Sequence, residues 1–161
     1  MGESTLPYYS FVLRVIADRT GAQPLQKVAR QPGVQGAFRI SLHYYDKRAC
    51  DSAATLCRYT SEDERTLEVR YVGAFHEKPL FYPIGLDQYD AFTRALQKLR
   101  FDHLSDQPGL PAHGIDLWMV ERAAGSFYKS IILAPKYATG DYAAIVDAVK
   151  AHLPEALRAV R

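Results

Sequence analysis

A chain of 161 residues, 48% of them hydrophobic, is long and apolar enough to build one core without cross-links or metals, and it reads as a single α+β domain over residues 1–161. Twenty Lys and Arg stand against 18 Asp and Glu, and a net charge of +2 is too small for electrostatic capture of nucleic acid or an anionic membrane. No apolar run approaches the roughly 20 residues that span a bilayer, and "MGESTLPYYSF" lacks the pattern of a secretory leader; the expectation is a soluble chain, cytoplasmic or exported after loss of a leader.

In chain order, "YYSFVLRVIA" over Tyr8–Ala17 is rich in aromatic and β-branched residues, ends at the turn signal "DRTG", and reads as a strand. After Pro24 a helical turn or two is expected, closed by "QPG". In "AFRISLHYYD", Phe38, Ile40, Leu42 and Tyr44 alternate with Arg39, Ser41, His43 and Tyr45, a period of two that implies a sheet with one covered and one wet face. The alternation recurs in "TLEVRYVGAF", with Leu67, Val69 and Tyr71 opposed to Glu68 and Arg70. Between these strands lies a polar segment holding both cysteines, followed by the charged turn "SEDER".

"PLFYPIGL" is extended, and Pro79 and Pro83 remove ladder donors, which places it at a sheet edge or bulge. Asp87 reads as the N-cap of a helix in which Tyr89, Phe92, Leu96 and Leu99 share a face. Beyond the loop "DQPGLPAHG", "IDLWMVER" and "FYKSIILAP" flank "AAGS" as a hairpin. A last helix begins near Asp141, and Pro154 restarts it as a short terminal piece. Strands followed by helix, hairpin and helix predict an antiparallel sheet packed on one face by two main helices.

The absence of asparagine rules out N-glycosylation at an Asn-x-Ser/Thr site and, with arginine favoured over lysine, suggests a prokaryotic source. Cys50 and Cys57, the only cysteines, admit a disulfide closing a short loop, two free thiols in a reducing compartment, or half of a metal site completed by histidines from elsewhere. Motifs for chemistry mostly fail. His76-Glu77 opens like H-E-x-x-H, but Leu80 stands at the fifth position and Pro79 breaks the helix the motif needs. Ser126 and Lys129 match S-x-x-K, yet on a strand positions i and i+3 face opposite sides. Glycine-rich phosphate loops, nucleophile elbows and calcium loops are absent from the sequence.

What remains points to a non-enzymatic binding or accessory module that contacts another protein and needs no cofactor. Tyrosine and arginine are common anchors at such surfaces, and the contact is expected on the wet sheet face or the edge strand, through Arg39, Tyr45, Arg70, Phe81 and Tyr82. The alternative is a small metal- or His-dependent hydrolase that gathers His76, His103, His113 and Asp116 into one pocket.

Overall fold

The computed structural model describes residues 2–60 and 65–161, with side chains from Leu6 onward. Residues 61–64 of the expected turn "SEDER" lie outside the described residues, and its last residue, Arg65, is the first of a strand. Six antiparallel strands form one sheet in the order β4-β3-β2-β1-β5-β6. They are β1 (Val34–His43), β2 (Ser52–Tyr59), β3 (Arg65–Tyr71), β4 (Leu80–Ile84), β5 (Leu117–Ala124) and β6 (Phe127–Leu133). The helices are α1 (Gly2–Arg19), α2 (Leu25–Ala29), α3 (Leu86–Lys98) and α4 (Asp141–His152). The architecture is α+β, with helices packed on an antiparallel sheet.

The alternation in β1 and β3 builds the larger core. Phe38, Ile40 and Leu42 join Leu67, Val69 and Tyr71 on one face, where Tyr89, Phe92 and Leu96 of α3 and Ile145 and Val149 of α4 cover them. Phe38 meets Phe92 edge-on, with ring centroids 5.2 Å apart, the arrangement the ring quadrupoles favour. Asp87 lies in the first turn of α3, while Gly85 holds the N-cap position that the sequence assigns to Asp87. The β5–β6 hairpin turns through Gly125 and Ser126, and Gly125 takes the positive φ of 58° that a primed turn needs at its first central residue.

Three readings are corrected. Tyr8–Ala17 is helical, inside α1, because Tyr9, Leu13 and Ile16 recur at helical spacing and all three are buried against Leu117, Met119 and Ile132; burial of that stripe overrides the β-propensity of its aromatic and branched residues. The cysteine segment is no loop: Ser52–Tyr59 is β2, paired on both sides. The second face of the sheet is not wet throughout, since α1 lies over it and α2 packs Leu25 and Ala29 on Ala37, Cys57 and Ala123.

The strand assignment also decides the cysteines. Both thiols are free. Cys57 is buried within β2 on the α1/α2 face, while Cys50 precedes that strand and packs against the opposite core. From Ser52 to Cys57 the chain runs along β2, five steps of strand that span roughly 17 Å, far beyond the Cα separation of about 5–6 Å that a disulfide requires.

The two edges of the sheet differ. At β6, Ile132 N–H donates to Asp106 (2.7 Å), Ala134 N–H to the Gln107 side chain (3.0 Å), and Ile132 C=O accepts from Gln107 N–H (2.9 Å). The loop after α3 thus blunts that edge. The expected edge strand with Pro83 is β4, which among the described residues pairs with β3 alone.

Candidate functional site

The cross-strand register places one row of side chains across the whole α1/α2 face: Phe81, Glu68, Thr55, Arg39, Glu121 and Ser130, one from each strand. Arg39, on the central strand, is only 3% exposed. Its Nε donates to Thr55 Oγ1 at 2.9 Å, and Glu121 and Glu68 stand on either side along the row. Burial lowers the Arg39 pKa and the two carboxylates push it back up; guanidinium stays charged. Glu121 is buried too, and its carboxylate accepts from Tyr128 Oη at 2.5 Å, while Arg14 of α1 donates to that hydroxyl at 3.0 Å.

Where α1 and α2 stop short, the row opens into a cleft of about 690 Å³. Arg39, Thr55, Glu68, Arg70 and Phe81 line it from the sheet, and Gln23 and Gln31 from either end of α2. Arg70 is tied down by Glu68 Oε1 and by the Thr20 carbonyl (3.0 Å) at the end of α1. Phe81 projects with 61% of its surface exposed. Of the five residues assigned to protein contact, Arg39, Arg70 and Phe81 therefore share one cleft. Tyr82 points to the other face of the sheet, where its hydroxyl accepts from Arg158 at 2.9 Å. Tyr45 lies past the end of β1, beside Gly114, in a separate cleft of about 230 Å³.

The alternative catalytic set is dispersed. His76 sits in an exposed turn, Phe75–Glu77, whose three residues all take left-handed φ values of 55–56°. His103 follows α3 on one face of the sheet, whereas His113 lines the small cleft near Tyr45 and α1 on the other. Asp116 is engaged by both Nη atoms of Arg48 and by Tyr45 N–H (3.3 Å). Among the described residues, no group of three or more His, Cys, Asp or Glu is placed to hold a metal ion.

A second cleft, of about 450 Å³, lies on the α3/α4 face at the end of the sheet where β1 begins and β2 and β5 finish. Its walls include Phe38, Tyr89, Leu96 and Phe101, which are apolar or aromatic, and three arginines: Arg58 of β2, Arg100 just after α3, and Arg122 of β5. Arg122 forms a two-pronged pair with Asp102, Nε–Oδ1 at 2.9 Å and Nη2–Oδ2 at 2.7 Å, and lies over the Phe127 ring. Those hydrogen bonds hold the Asp102 carboxyl below its ordinary range. The sequence contains no motif for this cleft, because its arginines lie in three unrelated segments: the β1-β2 and β1-β5 pairings bring Arg58 and Arg122 to one end of the sheet, and the packing of α3 adds Arg100.

A six-stranded antiparallel sheet with helices and clefts on both faces defines an α+β protein. No protein-family model matches the chain, and no curated protein matches it in sequence. No helix among the described residues is long and apolar enough to cross a membrane.

Proposed function

We propose that this chain is a non-enzymatic binding module that contacts another protein through the cleft between α2 and the β3–β4 edge. The observation that carries this reading is the convergence of Arg39, Arg70 and Phe81 on one open groove beside an edge strand. An extended partner segment lying in that groove would meet an aromatic rim at Phe81, a carboxylate at Glu68 and a buried cation at Arg39, and would find the outer backbone groups of β4 alongside. Strand addition at a sheet edge draws affinity from main-chain hydrogen bonds and selectivity from such pockets. Dispersal of His76, His103, His113 and Asp116 supports binding over the hydrolase alternative.

The test is site-specific photocrosslinking in the native cell, with p-benzoylphenylalanine replacing Phe81 on β4 or, as a control, Phe127 at the opposite edge. A discrete protein adduct formed from position 81, missing from position 127 and lost on Arg70→Glu, supports the reading. The same adducts from both positions, or none from position 81, overturn it.

A further inference from the structure

The cleft on the α3/α4 face has the features of a small-molecule site, and nothing in the protein-contact reading uses it. Its volume of about 450 Å³ falls in the range of pockets that enclose a small organic ligand. Its charge is lopsided: three guanidiniums face one carboxylate, and that carboxylate is already paired with Arg122.

Four details go beyond composition. Arg58 Nε is buried and, among the described residues, has no hydrogen-bond acceptor; a buried N–H without an acceptor is costly enough to need an explanation. The Arg58 guanidinium carbon lies 5.7 Å from the centre of the Tyr89 ring, so the stem and head are held against the cleft wall. Arg100 adopts φ 53°, ψ 50° immediately after the last turn of α3. Glycine is the usual occupant of that left-handed position, and here it is an arginine that lines the cleft. Finally, Gly36 sits opposite Arg58 in the β1–β2 ladder and lines the cleft without a side chain. A Cβ at Gly36 would come no closer than 3.7 Å to its neighbours, so a side chain has room there, and its absence at this irregular point of the ladder leaves the cleft open.

We propose that this cleft binds a small organic anion, its acidic group received by Arg58 and Arg100 and its apolar body seated against Phe38, Tyr89 and Phe101. The acid supplies the acceptor that Arg58 Nε lacks. The unpaired share of positive charge supplies attraction, and the aromatic wall separates such a ligand from inorganic ions. Carboxylate and phosphate monoester both meet these requirements, since guanidinium presents its N–H groups to either in the same fork.

The full chain is titrated with 1-anilinonaphthalene-8-sulfonate, an aromatic anion that fluoresces on leaving water, and in parallel with the uncharged N-phenyl-1-naphthylamine. The expected result is saturable binding of one anionic dye per chain, and affinity at least about tenfold lower for the neutral dye, the value of one charge-assisted hydrogen bond. Arg58→Met, which keeps the packed stem, is expected to weaken the anionic dye by a similar factor. Gly36→Phe fills the cleft and should abolish binding. Should Gly36→Phe fail to fold, as judged by near-ultraviolet circular dichroism, Arg100→Gly replaces it, with a tenfold loss expected. Millimolar phenyl phosphate, benzoate or both should displace the dye and so rank the acids. Equal affinity for the two dyes, an unaltered affinity in the folded variants, or displacement by neither acid overturns the proposal.

Discussion

Replacing Arg39 with methionine probes how the polar row beneath α1 and α2 is held. Arg39 is 3% and Glu121 is 6% exposed, and the two are direct partners across the β1–β5 ladder. Methionine keeps an apolar stem in the same space, so the packing change is small and the loss is mainly one of charge. Among the described residues the Glu121 carboxylate takes its one side-chain hydrogen bond from the Tyr128 hydroxyl, and the variant removes the cation nearby. Losing the cation beside a buried carboxylate that it neighbours but does not hydrogen-bond should cost about 2 kcal/mol, less than breaking a contact salt bridge. Glu121→Gln should cost about 1 kcal/mol, since the amide oxygen can still accept from Tyr128. The two changes should not add: in the double variant no buried charge is left facing an absent partner, and the combined loss should fall short of the sum by about 1.5 kcal/mol or more. Urea unfolding followed by Trp118, the only tryptophan and a member of the larger core, reads all four proteins. Additivity within about 0.5 kcal/mol, or a loss below about 1 kcal/mol for Arg39→Met alone, would refute the electrostatic account of the row.

Arg100→Gly relieves the left-handed backbone after α3 and should stabilise the fold by about 0.5–1 kcal/mol, raising the thermal midpoint by about 1–4 °C while weakening anion binding; calorimetry with and without dye separates the two effects. Tyr71 is fully enclosed, its hydroxyl donates to the Arg158 carbonyl at 2.9 Å, and burial pushes its pKa up to about 12. Its contribution is therefore intact below pH 10, where the unfolded side chain is also protonated, and is lost between about pH 10 and 12, a fall of about 2–3 kcal/mol. Tyr71→Phe should flatten the alkaline limb of a stability–pH curve. Alkylation without reductant should modify Cys50 readily and Cys57 slowly, because Cys57 is buried in β2 and burial raises its thiol pKa; a pair protected until reduction would contradict the extended β2.

The parts of the fold legible in the sequence are those where pattern and burial agree. β1, β3 and β4, the β5–β6 hairpin, α3 and α4 all show their period or their turn residues, and each lies near its expected place. α1 misleads because Tyr8, Tyr9, Phe11, Val12, Val15 and Ile16 favour strands by composition, while the helical stripe of Tyr9, Leu13 and Ile16 is only three residues deep. β2 misleads in the other direction: Ser52, Ala53, Ala54 and Thr55 are small or polar, yet all are buried, since a central strand between two neighbours and two helical layers has no wet side to display. Without those two elements the covered face, and with it the burial of Arg39, cannot be read from the sequence. The groove was half legible, since Arg70 and Phe81 sit on recognisable strands. Arg58, Arg100 and Arg122 were not, because residues this far apart in the chain carry no shared signal until the strands are paired.

The sheet also contains a seam. β1 to β4 follow one another as neighbours, and β5 and β6 form a hairpin, but the two blocks join only where β5 lies beside β1, pairing Ile40 with Val120 across about 80 positions. Local pairings can form early and cheaply, whereas this junction must wait for a long loop to close. Until it does, β1 is an unpaired edge with an apolar row, and α1 lacks Leu117, Met119 and Ile132, the surface on which it docks. The slow event in reaching this fold is therefore expected to be the meeting of its two middle strands, and a chain interrupted before that meeting would expose the edge most prone to pair with another copy of itself.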